Sequence, residues 1–286
     1  MAQIITNQAS LVYQFNGQTA SALSNVATTT LVEPLSVSKN SLETTYGAND
    51  ELTFIVSFTN SGATALTNVS VVDDLGTYAL GTNSVTPLTF VPNAVLFING
   101  VFSGNIAPTQ NANSVTFTVP SLPAGANAQI VYNTRINDGA PIDVDSAVTN
   151  TVSVTADQIS TPVTDSNTVT AAEFANVEIT KSMSPSNVVD GGPITYTFTL
   201  YNYGNAQATD IVLTDAFDPA PSNITVQIDG VTVAPTDYSY VGGTLTLPTG
   251  TALDISLPAA TITQDPTTGI VTVTPSTTVI TVTGTI

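Results

Sequence analysis

Apolar and polar residues alternate with a period of two along most of the chain, in short runs closed by turn-forming residues. Leu52-Thr53-Phe54-Ile55-Val56, Val69-Ser70-Val71-Val72-Asp73 and Ile194-Thr195-Tyr196-Thr197-Phe198 are examples. A period of two places residues i, i+2 and i+4 on one face, as a half-buried strand requires. Between such runs lie Asn60-Ser61-Gly62, Ile98-Asn99-Gly100, Asn202-Tyr203-Gly204 and Ile228-Asp229-Gly230. Asn, Asp and Gly tolerate left-handed backbone, so these read as tight turns. Sustained helical periodicity is missing. The expected fold class is all-β: two tandem immunoglobulin-like β-sandwich domains with an N-terminal donor-strand hairpin.

The tandem arrangement is legible as a repeat. Lys39 and Lys181 lie 142 residues apart (181 − 39), and the flanking segments match without a gap. Val37-Ser38-Lys39 corresponds to Ile179-Thr180-Lys181, and the strand Glu51 to Thr59 to the strand Pro193 to Tyr201. Val69 to Asp73 corresponds to Ile211 to Asp215. This gives a first sandwich over 34–172 and a second, incomplete one over 173–286.

The ends of the repeats do not match. The first sandwich closes with the Asn150 strand and a returning strand, Ser166-Asn167-Thr168-Val169-Thr170, for which the second shows no counterpart. A counterpart stands at the other end of the chain. Ile5 to Leu11 parallels the Asn150 strand at an offset of 143 (150 − 7), and Ser24 to Thr28 parallels the Asn167 strand at 142 (167 − 25). Residues 1–33 are therefore expected to be a donor hairpin that completes a sandwich elsewhere.

Charge narrows the classes of partner. Three Lys and Arg stand against 21 Asp and Glu, for a net charge of −18. Binding nucleic acid or an anionic membrane needs basic residues that this chain does not have. No run approaches transmembrane length, so membrane insertion is not expected. With no Cys and no His, disulfides, thiolate catalysis and the commonest zinc ligands are excluded. The opening Met-Ala-Gln-Ile-Ile-Thr-Asn has neither the basic nor the apolar region of a signal peptide, so the export route is open. A sparsely charged, Thr/Ser/Asn-rich surface with acidic spots fits an extracellular or cell-surface protein.

Strand alternation brings three polar residue types into apolar rows. Lys39 shares a face with Leu35 and Val37, Asp73 with Val69 and Val71, and Asn150 with Val148, Val152 and Val154. Lys181 shares one with Val177 and Ile179, Asp215 with Ile211, Leu213 and Phe217, and Asn7 with Ile5, Ala9 and Leu11. A Lys, an Asp and an Asn directed into one core form the constellation of an autocatalytic isopeptide bond. Burial favours the neutral, nucleophilic amine and a protonated carboxyl that polarises the Asn carbonyl. Attack then displaces ammonia once, by proximity, with no cofactor. The alternative is a buried Lys–Asp ion pair, with the Asn satisfying backbone groups. The choice between Asn150 and Asn7 on one hand and Asn167 and Asn25 on the other stays open, since Val163, Asp165, Asn167 and Val169 also share a face. Asn137-Asp138-Gly139 with Asp143 and Asp145 is acidic enough for a calcium loop but lacks EF-hand spacing, and a solvated turn is the simpler reading.

These segments also resemble a known family. The series apolar-x-Lys, a glycine before the long strand, Asn-x-Gly, apolar-x-apolar-x-Asp and a closing Thr-Asn is similar to the bacterial conserved-repeat surface domain, or domain of unknown function 11. The similarity extends over nearly the whole chain. The glycine is displaced in the first repeat, at Gly47-Ala48-Asn49-Asp50. The resemblance implies an extracellular β-sandwich, in some members with Lys–Asn cross-links, and no enzymatic activity.

Two functions from different classes follow. The first is a structural subunit, its partners copies of itself, assembling head to tail into a fibre by donor-strand complementation reinforced by isopeptide bonds. The second is a monomeric surface adhesion or ligand-binding module whose N-terminal hairpin folds back on its own second sandwich. No substrate site for an enzyme is marked.

Overall fold

The structure, a computed structural model, describes residues 3–31, 34–250 and 252–286. Every regular element among them is a strand. The N-terminal arm holds β1 (Gln3–Asn7), β2 (Ser10–Phe15), β3 (Gln18–Leu23) and β4 (Ala27–Leu31). The first sandwich holds β5 (Leu35–Ser41), β6 (Thr45–Tyr46), β7 (Glu51–Asn60), β8 (Leu66–Asp73), β9 (Tyr78–Leu80), β10 (Asn83–Val85), β11 (Leu88–Ile98), β12 (Val101–Asn105), β13 (Thr109–Asn111), β14 (Ser114–Leu122), β15 (Asn127–Ile136), β16 (Ala147–Ala156) and β17 (Ile159–Ala171). The second holds β18 (Val177–Ser184), β19 (Pro193–Asn202), β20 (Leu213–Ala216), β21 (Ser222–Ile228), β22 (Val231–Thr232), β23 (Ser239–Val241), β24 (Thr244–Leu247), β25 (Thr261–Gln264), β26 (Val271–Thr274) and β27 (Ser276–Thr285).

Each sandwich has its own core. In the first, a sheet of order β12-β11-β15-β7-β5 faces one of order β13-β14-β8-β16-β17-β6. Phe54, Phe58, Phe117, Ile130 and Tyr132 fill the space between, each almost fully buried. In the second, β18-β19-β27-β21-β22 reproduces the first sheet strand for strand, but its partner sheet has only β20-β24-β23. That partner matches β8-β14-β13, so positions equivalent to β16 and β17 are empty among the described residues. The consequence is visible on β18, every residue of which is exposed, whereas β5 buries Leu35 and Lys39.

Turn chemistry follows the sequence in part. Asn99-Gly100 and Asp229-Gly230 form two-residue hairpin loops with positive φ at both positions, the geometry that suits the strand twist. The two Asn-x-Gly signals work differently from expectation. Asn60 and Asn202 are buried and act through their side chains. Asn60 Nδ2 donates to the carbonyls of Thr64 and Leu122, and Asn202 Nδ2 to those of Ala206 and Pro258. Each Oδ1 accepts the N–H of the following glycine. Glycine is required at 204 by close approach: a Cβ there would lie 2.3 Å from the Phe174 carbonyl oxygen.

Three further features of the fold bear on the sequence pattern. The run Ile211 to Asp215 joins the β24 ladder only from Leu213 onward, and the Ile211 N–H bonds the Ile255 carbonyl instead. The segment 261–274 forms a hairpin, β25–β26, that reaches the first sandwich and packs Ile262, Val271 and Val273 against its core. Gln264 Nε2 donates to the Tyr78 hydroxyl (2.6 Å) and the Gly139 carbonyl (3.1 Å), and Val271 N–H to the Asp138 carbonyl (2.8 Å). Finally, the acidic stretch near Asp138 is a hydrogen-bonded turn in which Asn137 Oδ1 accepts the Gly139 N–H. Among the described residues no three acidic side chains converge on an ion site.

Candidate functional site

Lys39 enters the first core from β5, where it pairs across the ladder with Val56. Its Nζ contacts the Asp73 carboxylate and lies 2.7 Å from the Tyr132 hydroxyl and 4.6 Å from the centre of the Phe54 ring. Burial pushes the lysine pKa down, and the neighbouring Asp73 charge opposes that shift without cancelling it. The site thus favours a neutral amine more than water does.

Asp73 ends β8 and is fully buried. Its Oδ1 accepts the Leu75 N–H at 2.9 Å, and Asp74 Oδ1 accepts the N–H groups of Gly76 and Thr151. Leu75 and Gly76 both have positive φ, +52° and +70°. Leu75 holds that conformation at a steric cost. The tight turn aims the Gly76 N–H into the core, where it also reaches Asn150 Oδ1 at 3.2 Å.

Asn150 comes from β16, two residues from Val152, which pairs with Asp73. It is fully buried, and its Nδ2 has no hydrogen-bond partner among the described residues. Asn167 stands directly opposite on β17 and is half-buried, with Oδ1 also unpartnered. A buried orphan polar group costs on the order of 1–3 kcal/mol, so an unpaired amide nitrogen at this position calls for a reason. Asp165, also on β17, accepts the Lys39 backbone N–H at 2.7 Å and so ties the closing strands to the free edge of β5.

Tyr132 is the site residue that sequence reasoning missed. It lies on β15 opposite Phe54, fully buried, with its hydroxyl on Lys39 Nζ and the Asp73 carboxylate. The Asn150 amide adjoins the same hydroxyl without a formed hydrogen bond from Nδ2. Burial, and next the Asp73 charge, raise the phenol pKa well above its usual value. In sequence it is one more aromatic in an apolar row, and only its hydroxyl distinguishes it from Phe.

The second site repeats half of this arrangement. Lys181 Nζ lies 2.6 Å from Asp215 Oδ2 and about equally far, at 5.2–5.3 Å, from the rings of Tyr196, Phe198 and Phe217. Lys181 keeps 38% of its side-chain surface exposed and Asp215 17%, against 0% for Lys39 and 1% for Asp73. A groove of about 680 Å³ opens here, lined by Lys181, Met183, Val188 and Ile194. Val282 stands opposite Tyr196 as Tyr132 stands opposite Phe54.

Asn7 is not brought to Lys181. It lies on β1 opposite Ala27, in an arm whose described side chains are almost all exposed. Asn25 lies in the kink between β3 and β4. Asn150 and Asn167 face one another, but Asn7 and Asn25 do not, because Ser24 takes the ladder's place there. Its N–H and carbonyl bond Ala9 O and Gln8 Nε2, and its hydroxyl accepts the Ala9 N–H. The slip is by two residues, so Asn7 keeps the face it shares with Ile5. Ile5, Leu11, Tyr13 and Phe15 remain exposed along the arm.

No family model matches the chain, the conserved-repeat surface domain included, and no curated protein matches it. Solved structures with similar outlines include a variant of the major pilin subunit of Bacillus cereus, at 10% identity and TM-score 0.38 over 93% of this chain and 70% of that one. A C-terminal fragment of the major pilin of Streptococcus agalactiae matches at 11% identity and TM-score 0.37, with 79% of each chain covered. The full-length major pilin of Corynebacterium diphtheriae matches at 12% and 0.34, over 78% of this chain and 48% of that one. Similarity this slight decides nothing about what the chain does.

Proposed function

We propose that the chain is the subunit of an extracellular fibre, in which the N-terminal hairpin of one copy covers the open face of the second sandwich of the next. The observation that carries this reading is the contrast between the two lysine sites. Lys39 and Asp73 lie sealed beneath β16 and β17, whereas Lys181 and Asp215 have the same partnership, partly open to solvent, with no equivalent of those two strands among the described residues. The arm offers what the open face needs: two antiparallel strands, an exposed apolar row and an asparagine within that row. Pairing along the free side of β20 would satisfy its backbone groups and bury the groove. Such a contact is head-to-tail and does not close, so it propagates.

The same reading assigns each lysine an amide bond, Lys39 to Asn150 within the chain and Lys181 to Asn7 of the neighbouring copy. Lys39 passes a proton to the Asp73 carboxylate it touches, and neutral Nζ adds to Cγ of Asn150. The Gly76 N–H supports the negative charge that develops on Oδ1. Ammonia leaves as the Cγ–Nδ2 bond breaks. Asp215 serves Lys181 in the corresponding role.

Electron microscopy and denaturing gels test the proposal together. Purified protein should form filaments that resist boiling in detergent and run as a ladder. Asn7→Ala should still assemble but lose the ladder, and removal of residues 1–30 should abolish assembly. A peptide spanning Ile5 to Thr30 should raise the melting temperature of the shortened protein. A uniform monomer by size, with no shift on adding the peptide, sinks the fibre and favours the monomeric surface module. Filaments that dissolve to single chains leave assembly standing and remove only the bond between copies.

A further inference from the structure

We propose that the Tyr132 hydroxyl is a catalytic group of the internal cross-link, carrying a proton from the Lys39–Asp73 pair to the departing nitrogen of Asn150. The inference rests on the cross-linking reading above and assigns a step that Lys39, Asp73 and Asn150 leave unfilled. Amide nitrogen does not leave as an anion, so Nδ2 must gain a proton as its bond to Cγ breaks. Asp73 takes the lysine proton but is poorly placed to deliver it. Its Oδ1 is held by the Leu75 N–H and its Oδ2 by Lys39 and Tyr132, and it makes no hydrogen bond to Asn150 among the described residues. The Tyr132 hydroxyl touches Asp73 and Lys39, and Asn150 enters the same core on β16 two residues from Val152, the ladder partner of Asp73, as a neighbour of that hydroxyl, so the hydroxyl spans the gap.

The protons balance. The site starts with three on Nζ, two on Nδ2, one on the phenol and none on Asp73. Nζ gives one to Asp73, and its lone pair forms the bond to Cγ while the carbonyl electron pair moves onto Oδ1. Tyr132 donates its proton to Nδ2 and recovers one from Nζ. The oxygen pair returns, Cγ–Nδ2 breaks, and the products are one amide N–H, ammonia and protonated Asp73. Tyr132 ends as it began. Burial helps by keeping the phenol protonated, so that a proton is present to give.

The second site supplies an internal contrast. Val282 occupies the position of Tyr132, so the bond from Lys181 forms without this relay and more slowly.

The test is the intact mass of full-length protein made by cell-free synthesis and sampled over time. Wild type should lose one ammonia early. Tyr132→Phe, which keeps the ring, should lose it about a hundredfold more slowly, within the span expected for a general acid. Packing is checked by comparing Asn150→Ala with and without Tyr132→Phe, both unlinked, whose difference in melting temperature measures what the hydroxyl contributes to stability apart from the bond. Replacing Tyr132 with 3-fluorotyrosine should shift the pH dependence of the rate, which a packing role would not do. If Tyr132→Phe fails to fold, the fluorotyrosine protein decides the matter alone. An unchanged rate and pH profile in the variants, with cross-linking intact in wild type, overturns the relay and leaves the bond. A wild-type mass that never falls overturns both.

Discussion

Lys39 and Lys181 occupy one position of a repeated fold, each with its amine on a carboxylate, yet the first has no solvent-exposed side-chain surface and the second keeps 38% exposed. Most of what can be tested follows from that difference in cover.

Removing each lysine should have unequal cost. In the unlinked Asn150→Ala background, Lys39→Met leaves Asp73 buried without its counter-charge and should lose about 3–5 kcal/mol, the usual cost of breaking a buried pair. Lys181→Met affects a partly solvated pair and should cost no more than about 1 kcal/mol. Urea midpoints of the two variants check this, and equal losses would refute it.

The internal bond should use Asn150 and spare Asn167. Asn150→Ala should restore the full sequence mass and remove a clamp across 111 residues (150 − 39), which by loop-closure entropy is worth roughly 4–5 kcal/mol. Asn167→Ala should still lose ammonia, since its partner β16 carries the reacting group. The opposite pattern of masses would exchange the two asparagines.

In the unlinked Asn150→Ala protein, stability should rise with pH below the range of a free lysine. The folded-state lysine pKa lies below 10.5 because of burial, so between the two values the unfolded chain binds the extra proton. Raising pH across that window removes the unfolded state's advantage. Above about pH 10 the buried Tyr132 acts in the opposite sense, because its folded pKa is raised. Melting temperatures measured as pH rises toward 10 should therefore climb in Asn150→Ala and climb less in Asn150→Ala/Lys39→Met. Parallel curves would show that Lys39 is not the group responsible.

Gly76→Ala should impair cross-linking without touching any reacting side chain. At φ +70° an alanine is strained, and its Cβ would lie 2.7 Å from Val148 Cγ1. Moving this turn withdraws the N–H that supports Asn150 Oδ1, so the mass loss should slow and stability should fall by about 1–3 kcal/mol. Full cross-linking at the wild-type rate would remove Gly76 from the mechanism.

Much of this arrangement was legible in the sequence because strand alternation is a strict code. A period of two carried Lys39, Asp73 and Asn150 into one core, and the shared offset marked the second sandwich as lacking strands equivalent to β16 and β17. What escaped depended on contacts that alternation does not encode. Tyr132 was hidden among core aromatics because a hydroxyl changes neither period nor hydropathy. Asn60 and Asn202 were read for their backbone tolerance, whereas they act as side-chain staples. The turn at Leu75–Gly76 asks a branched residue for positive φ, which propensity argues against, and such exceptions concentrate where strain serves chemistry. The β25–β26 hairpin has no counterpart in the first repeat, so nothing in the repeat could announce where it would dock.

That hairpin has a mechanical consequence. The second sandwich is rooted at one point, where Asn205 Nδ2 holds the carbonyls of Ile142 and Ala172, and propped at another by Gln264 and Val271. A beam held at a root and a prop cannot swing as one held at the root alone can. In the proposed fibre, bending would therefore fall on the joints between copies, every second domain.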